Sequence, residues 1–118
     1  MRASDGLGVY GEQVAERHLL AAGYAVLARN WRCPAGEIDI VAQDGDVLVV
    51  CEVKTRSSAA YGSPLEAVTP PKARRLRRLA AAWLQENRLR ARAVRVDVVS
   101  IVSSPREGLQ VQHLRGVA

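Results

Sequence analysis

The sequence predicts a single mixed α/β domain: a β-sheet of about five strands flanked by helices, in the order α-β-β-β-α-β-β. Three observations carry this. Two β-branched segments, residues 36–41 and 47–54, flank Asp44-Gly45, and an Asp-Gly pair between such runs is the strongest short-range hairpin signal. Residues 47–51 are apolar at every position, the pattern of a central strand covered on both faces. Outside these strands, two segments repeat apolar residues at intervals of three and four, so the sheet has helices to cover it.

The first helix is expected from about residue 7 to 22, where Gly8, Glu12, Ala15, Leu19 and Ala22 fall on one stripe and Gly23 takes the usual C-terminal position. Glu12 interrupts that small and apolar stripe. A carboxylate facing the core is costly unless paired, so Glu12 requires a cation, a hydrogen bond or a water held by a metal. Glu16, one turn on, points toward solvent. Residues 24–32 read as the first strand, with Cys33-Pro34-Ala35-Gly36 as the turn into the second.

After the hairpin, residues 57–62 form a small-residue loop, and Ser63-Pro64-Leu65-Glu66 has the capping-box arrangement that starts a helical turn. Thr69-Pro70-Pro71 opens a longer helix to about residue 87. Its stripe of Ala73, Leu76, Leu79, Ala80, Trp83 and Leu84 faces inward, Arg74, Arg77 and Arg78 turn away, and Lys72 lies on the edge of the buried side. Residues 94–102 alternate and are β-branched, a fourth strand. Residues 109–114 make a weaker fifth, across the turn Ser104-Pro105-Arg106-Glu107-Gly108.

At 118 residues the chain is expected to be one domain over 1–118, long enough to bury a core without disulfides or structural metal. The apolar fraction of 48% and charged fraction of 25% are those of an ordinary soluble protein. No apolar run approaches the roughly eighteen residues needed to span a bilayer, and Met1 to Gly6 contain nothing like a signal peptide. A cytoplasmic protein without a membrane partner is expected. Cys33 and Cys51 lack metal-site spacing and are expected as reduced thiols.

The formal charge is +5, unevenly spread: from Lys72 to Arg95 there are nine basic residues against one acid, Glu86. That makes Lys72, Arg74, Arg75, Arg77, Arg78 and Arg88 candidates for a phosphate-facing, nucleic-acid-binding surface, with a solvated helix face as the alternative. Fifteen of the seventeen basic residues are arginine, yet lysines stand beside Glu52 and at the start of the second helix, where a compact point charge is suited.

Three charged residues interrupt the hairpin strands: Asp39, Glu52 and Lys54. With Asp44-Gly45 as a two-residue loop, Gln43 pairs with Asp46 and Asp39 with Val50. Asp39 and Glu52 then share a face as diagonal neighbours, Cβ atoms somewhat under about 7–8 Å apart, with Lys54 two residues further on. Magnesium takes oxygen ligands at roughly 2.0–2.1 Å, so both carboxylates can reach one ion while leaving positions for water and a phosphate. The other account of the three is a structural salt-bridge cluster. Glu37 shares this face but falls opposite Glu52, which like charges resist. Asp97 is expected as a structural partner of Arg95 or a backbone amide, and His18 and His113 as ordinary surface or edge residues.

The helix with Glu12, the Gly36-Glu37-Ile38-Asp39 and Glu52-Val53-Lys54 strands, the Tyr61-Gly62-Ser63-Pro64 loop and Lys72 together resemble the YraN-type family of small bacterial proteins. That family is similar to the restriction-endonuclease-like nucleases and, among them, the archaeal Holliday junction resolvases. The likeness runs from about Gly11 to Ile101. It implies a restriction-endonuclease-like fold, metal ligands at Asp39 and Glu52, a catalytic lysine at Lys54 and an auxiliary acid at Glu12; by its chemistry Glu12 is a candidate to bind the same metal through water or to accept a proton. The proline that often precedes the aspartate in that superfamily is absent, Ile38 standing in its place.

The function expected is a Mg2+- or Mn2+-dependent nuclease hydrolysing DNA phosphodiester bonds, including branched or recombination intermediates, with a homodimer implied by the way small resolvases pair. The alternatives are a nucleic-acid-binding or adaptor module that keeps the fold without turnover, and a fold-only relic that binds protein partners.

Overall fold

The computed structural model describes residues 3–57 and 64–117, with side chains from Tyr10 onward. The elements are α1 (Ala3–Ala21), β1 (Ala25–Cys33), β2 (Gly36–Asp44), β3 (Val47–Arg56), a 3-10 turn at Pro64–Ala67, α2 (Pro70–Glu86), β4 (Ala93–Ser104) and β5 (Gly108–Leu114). The expected order holds. The small-residue loop at 57–62 after Ser57, and the Ser63 end of the proposed capping box, lie outside the described residues.

The five strands form one sheet in sequence order, antiparallel everywhere except between β3 and β4. A parallel pair needs a crossover, and α2 supplies it. Thr69 caps α2 through its hydroxyl on the Lys72 N–H, and two prolines follow where the missing N–H groups have no intrahelical partner. At the end of α1, Tyr24 N–H reaches Leu19 C=O and Gly23 N–H reaches Leu20 C=O, with Gly23 at φ +92°. This is the left-handed closure that glycine permits. Ala22, expected on the buried stripe, is exposed just past the helix end.

Each helix covers one face of the sheet. Ala15 and Leu19 of α1 pack on Tyr24, Ile40, Val49, Cys51, Val99 and Ile101. Leu76, Leu79, Ala80 and Trp83 of α2 pack on Leu48, Val50, Val96 and Val98. β3 is therefore buried on both sides, as its unbroken apolar run requires. Gly11 brings α1 onto β3, because a Cβ there would overlap the Thr55 side chain. Among the described residues no helix is long and apolar enough to cross a membrane.

Two departures from the expected sheet shape the site. The β2–β3 loop is Gly45-Asp46, closed by Asp44 opposite Val47, and not Asp44-Gly45. Gly45 at φ +61° is first in the loop and Asp46 keeps negative φ, the type II′ pattern, which spares Asp44 the left-handed conformation a type I′ turn would demand. The register consequently moves by two residues, and since side chains alternate with period two, facing is preserved.

The second departure is a break in alternation. Ile38 packs on the α2 side while Ile40, two residues on, packs on the α1 side. The β1–β2 ladder skips Asn30 and Asp39, which face each other between Arg29↔Ile40 and Trp31↔Ile38, and Asn30 has φ +53°. β1 and β2 thus turn over together at this point.

Candidate functional site

The break in the sheet places Asp39. Pairing of β2 with β3 ends at Ile40↔Cys51, while β2 stays with β1 as far as Cys33↔Gly36. Continuing the β2–β3 register sets Asp39 directly beside Glu52 rather than diagonally. Asp39 uses its side chain there: Oδ2 accepts the Val53 N–H at 2.9 Å, at the point where strand pairing lapses. The observed register also removes Glu37 from its expected place opposite Glu52. Glu37 is exposed and pairs with Arg32 at 2.6 Å.

Glu52 is 9% exposed and receives Lys72 Nζ on Oε2 at 2.6 Å. Lys72 stands in the first turn of α2, so the crossover helix delivers an ammonium to the carboxyl end of β3. Lys54 follows Glu52 by two residues on the same strand and is half-buried.

The electrostatics of Asp39 are those of a group short of positive charge. Burial first, then the adjacent Glu52, push its carboxyl up to about 7; the Val53 bond opposes this, and Glu12 and Glu37 add to the rise. Glu12, half-buried on α1, is thus close enough to act on Asp39 by charge, as its position in the α1 stripe suggested. Among the described residues no three His, Cys, Asp or Glu side chains gather into a metal cage. The donor set still fits magnesium or manganese, because such ions take one or two carboxylates and keep water and phosphate in their other positions. Asp39 and Glu52 would hold the ion, and Glu12 adds negative field.

The arginines expected at a nucleic-acid surface do not all converge here. Arg74, Arg75, Arg77 and Arg78 are exposed along α2, and Arg77 donates to Val94 C=O at 2.9 Å. Arg88 lies beyond the far end of α2 at φ +54°, about 24 Å along the helix from Lys72.

Elsewhere the structure joins residues that the sequence left apart. Asp97 is fully buried and accepts from Arg95 Nε at 2.8 Å, Arg95 Nη2 at 3.1 Å, Gly116 N–H at 3.1 Å and Tyr24 hydroxyl at 3.4 Å. His113 Nε2 lies 2.8 Å from its carboxylate and His113 Nδ1 3.2 Å from His18 Nε2. Asp97 pairs with Arg95 as expected; the two histidines are instead joined to each other and to a core acid, because β5 lays His113 beside β4 and α1 passes over both. Burial alone would raise the Asp97 carboxyl, but the bonds from His113, Arg95 and Gly116 outweigh it and hold it at about 2. Cys33 and Cys51 are free thiols, that of Cys51 pushed up by burial and then by Asp97, Asp39 and Glu52.

Comparison with known proteins gives a consistent family. The profile of the uncharacterised protein family UPF0102 matches residues 11–101. A UPF0102 protein of Beutenbergia cavernae is 58% identical over 117 residues, covering 99% of both chains. One from Nocardioides sp. is 58% identical over 94% of this chain and 90% of its own length, and one from Frankia casuarinae 56% identical over 98% of each. With the part of α1 that carries Glu12, the Asp39 strand, the Glu52–Lys54 strand and α2 inside the matched region, this chain belongs to the UPF0102 family.

Proposed function

We propose that the protein is a divalent-cation-dependent nuclease that hydrolyses DNA phosphodiester bonds, with a restriction-endonuclease-like arrangement of its sheet and helices. One observation carries the reading: Asp39, its carboxyl held up near 7, stands beside a Glu52 that shares its end of the sheet with two lysines. A structural acid is normally satisfied by its surroundings, and an acid left wanting positive charge marks a candidate for chemistry. A hard cation between Asp39 and Glu52 supplies Lewis-acid relief of charge on a phosphate and activation of water. Lys54 neutralises negative charge developing on the phosphate or positions the attacking water. Glu12 accepts a proton from that side, and the α2 arginines contact phosphates, which positions a nucleic acid without reading its sequence.

The Lys72–Glu52 ion pair favours one second reading, a DNA-binding adaptor in which the Lys72 ammonium stands where the cation would. Purified protein with Mg2+ or Mn2+, assayed on linear, flap and four-way DNA beside Lys54→Ala, separates the two. Cleavage by the wild type that Lys54→Ala abolishes supports the nuclease. DNA binding that salt weakens, with no cleavage by either protein, supports the adaptor.

A further inference from the structure

The α2-side face of the sheet continues beyond Lys54. Pairing across β3, β4 and β5 sets Lys54, Ser100 and Gln112 in one row, and Arg56, Val102 and Gln110 in the next. Over these rows, against Pro64, lies a groove of about 410 Å³. It shares Val102 and Gln110 with a wider depression of about 800 Å³ that reaches Ser57, Ser104 and Arg106. The result is a continuous track from Ser100, the strand neighbour of Lys54, to the β4–β5 turn.

We propose that this groove seats the base of an unpaired nucleotide next to the scissile phosphate, and that the nuclease therefore acts on DNA with a single-stranded segment. The proposal rests on the nuclease reading and names its substrate class. Ligand pockets combine apolar walls with a few placed polar groups, and a volume of several hundred Å³ is ordinary for a small ligand. Here Val102 and Pro64 give the wall, and buried Ser100 and exposed Gln112 give hydroxyl and carboxamide in one row. A carboxamide offers a donor and an acceptor side by side, the pattern that a base edge presents, and an adenine is matched by two bonds at once. Gln110 follows about 6.8 Å along β5, its Nε2 donating to Glu107 at 2.7 Å, so Gln112 is the principal contact. Arg56 and Arg106 supply charge for the strand's phosphates along the track. A base lodged between Pro64 and Val102 with its edge on Gln112 has left the helical stack, and an unpaired nucleotide does this at the least cost.

The test is binding, measured by fluorescence anisotropy without divalent cation, of a short single-stranded oligonucleotide and a duplex of equal length. Gln112→Ala is expected to weaken single-strand binding about tenfold and to leave duplex binding unchanged. Gln112→Glu, which sets a carboxylate beside the phosphate track, should weaken it at least as much. Because Gln112 is exposed, its replacement leaves the core intact, and a matching thermal midpoint checks this. Equal single-strand affinity in Gln112→Ala and wild type, or parallel loss on single strand and duplex, overturns the subsite. The nuclease reading fails separately, by absence of cleavage of the same oligonucleotides with Mn2+, whatever the binding result.

Discussion

Asp39 and Asp97 are two aspartates of one sheet placed in opposite circumstances. Asp97, fully buried, receives a guanidinium, an imidazole, a backbone N–H and a phenol, and is held at about 2. Asp39, half-buried, receives one backbone N–H among the described residues, and burial, then the repulsion of Glu52, Glu12 and Glu37, push it to about 7. Burial raises both carboxyls, and the contrast lies in the donors that offset it. Among the described residues the fold supplies Asp97 with a full set of donors and Asp39 with one, and in the proposed reading a cation completes Asp39.

Removing each acid should therefore have opposite effects on stability. Asp97→Ala strands Arg95 without its main partner, and urea unfolding should show a loss of about 3–5 kcal/mol. Asp39→Asn should instead stabilise the cation-free protein at pH 8, by about 1–2 kcal/mol, water screening part of the repulsion at this half-buried group. A destabilised Asp39→Asn at that pH would place the two aspartates in the same class and break the comparison.

The pH dependence has a definite sign for each. The folded chain binds the Asp39 proton more tightly than the ordinary value of 3.8, so its contribution is present at low pH and is lost as pH rises toward and past 7. Wild type should lose stability relative to Asp39→Asn across that window in thermal melts. Asp97 runs the other way: its contribution is present above 3.8 and is lost as pH falls through about 2. Adding Mg2+ or Mn2+ at ten times its dissociation constant should raise wild-type stability by about 1.4 kcal/mol and leave Asp39→Asn unmoved. Smallest of all, Arg74→Ala and Arg75→Ala should change stability by less than about 0.5 kcal/mol, yet each should weaken DNA binding uniformly across sequences and reduce its salt dependence by about one counterion.

The sequence carries the elements well because they rest on local rules. Thr69 with two prolines starts α2, Gly23 ends α1, and the unbroken run in β3 places that strand at the centre. It also carries the facing of Asp39 and Glu52 through a misplaced turn, since a two-residue change of register preserves side. The rest depends on partners distant along the chain. The joint turnover at Asn30 and Asp39 requires two strands to change face together, and neither residue signals it alone. The Lys72–Glu52 pair spans 20 residues and the His18–His113 contact 95, distances no spacing rule reads.

Calorimetric titration with Mn2+ between pH 6 and 8.5, on wild type, Asp39→Asn and Glu52→Gln, bears most directly on the incomplete acid. A cation that completes Asp39 must displace its proton. Saturable binding of one ion should release a proton near pH 6, release progressively less as pH rises past 7, and disappear in both variants. Binding without pH-dependent proton release, or binding retained in Asp39→Asn, would contradict the account.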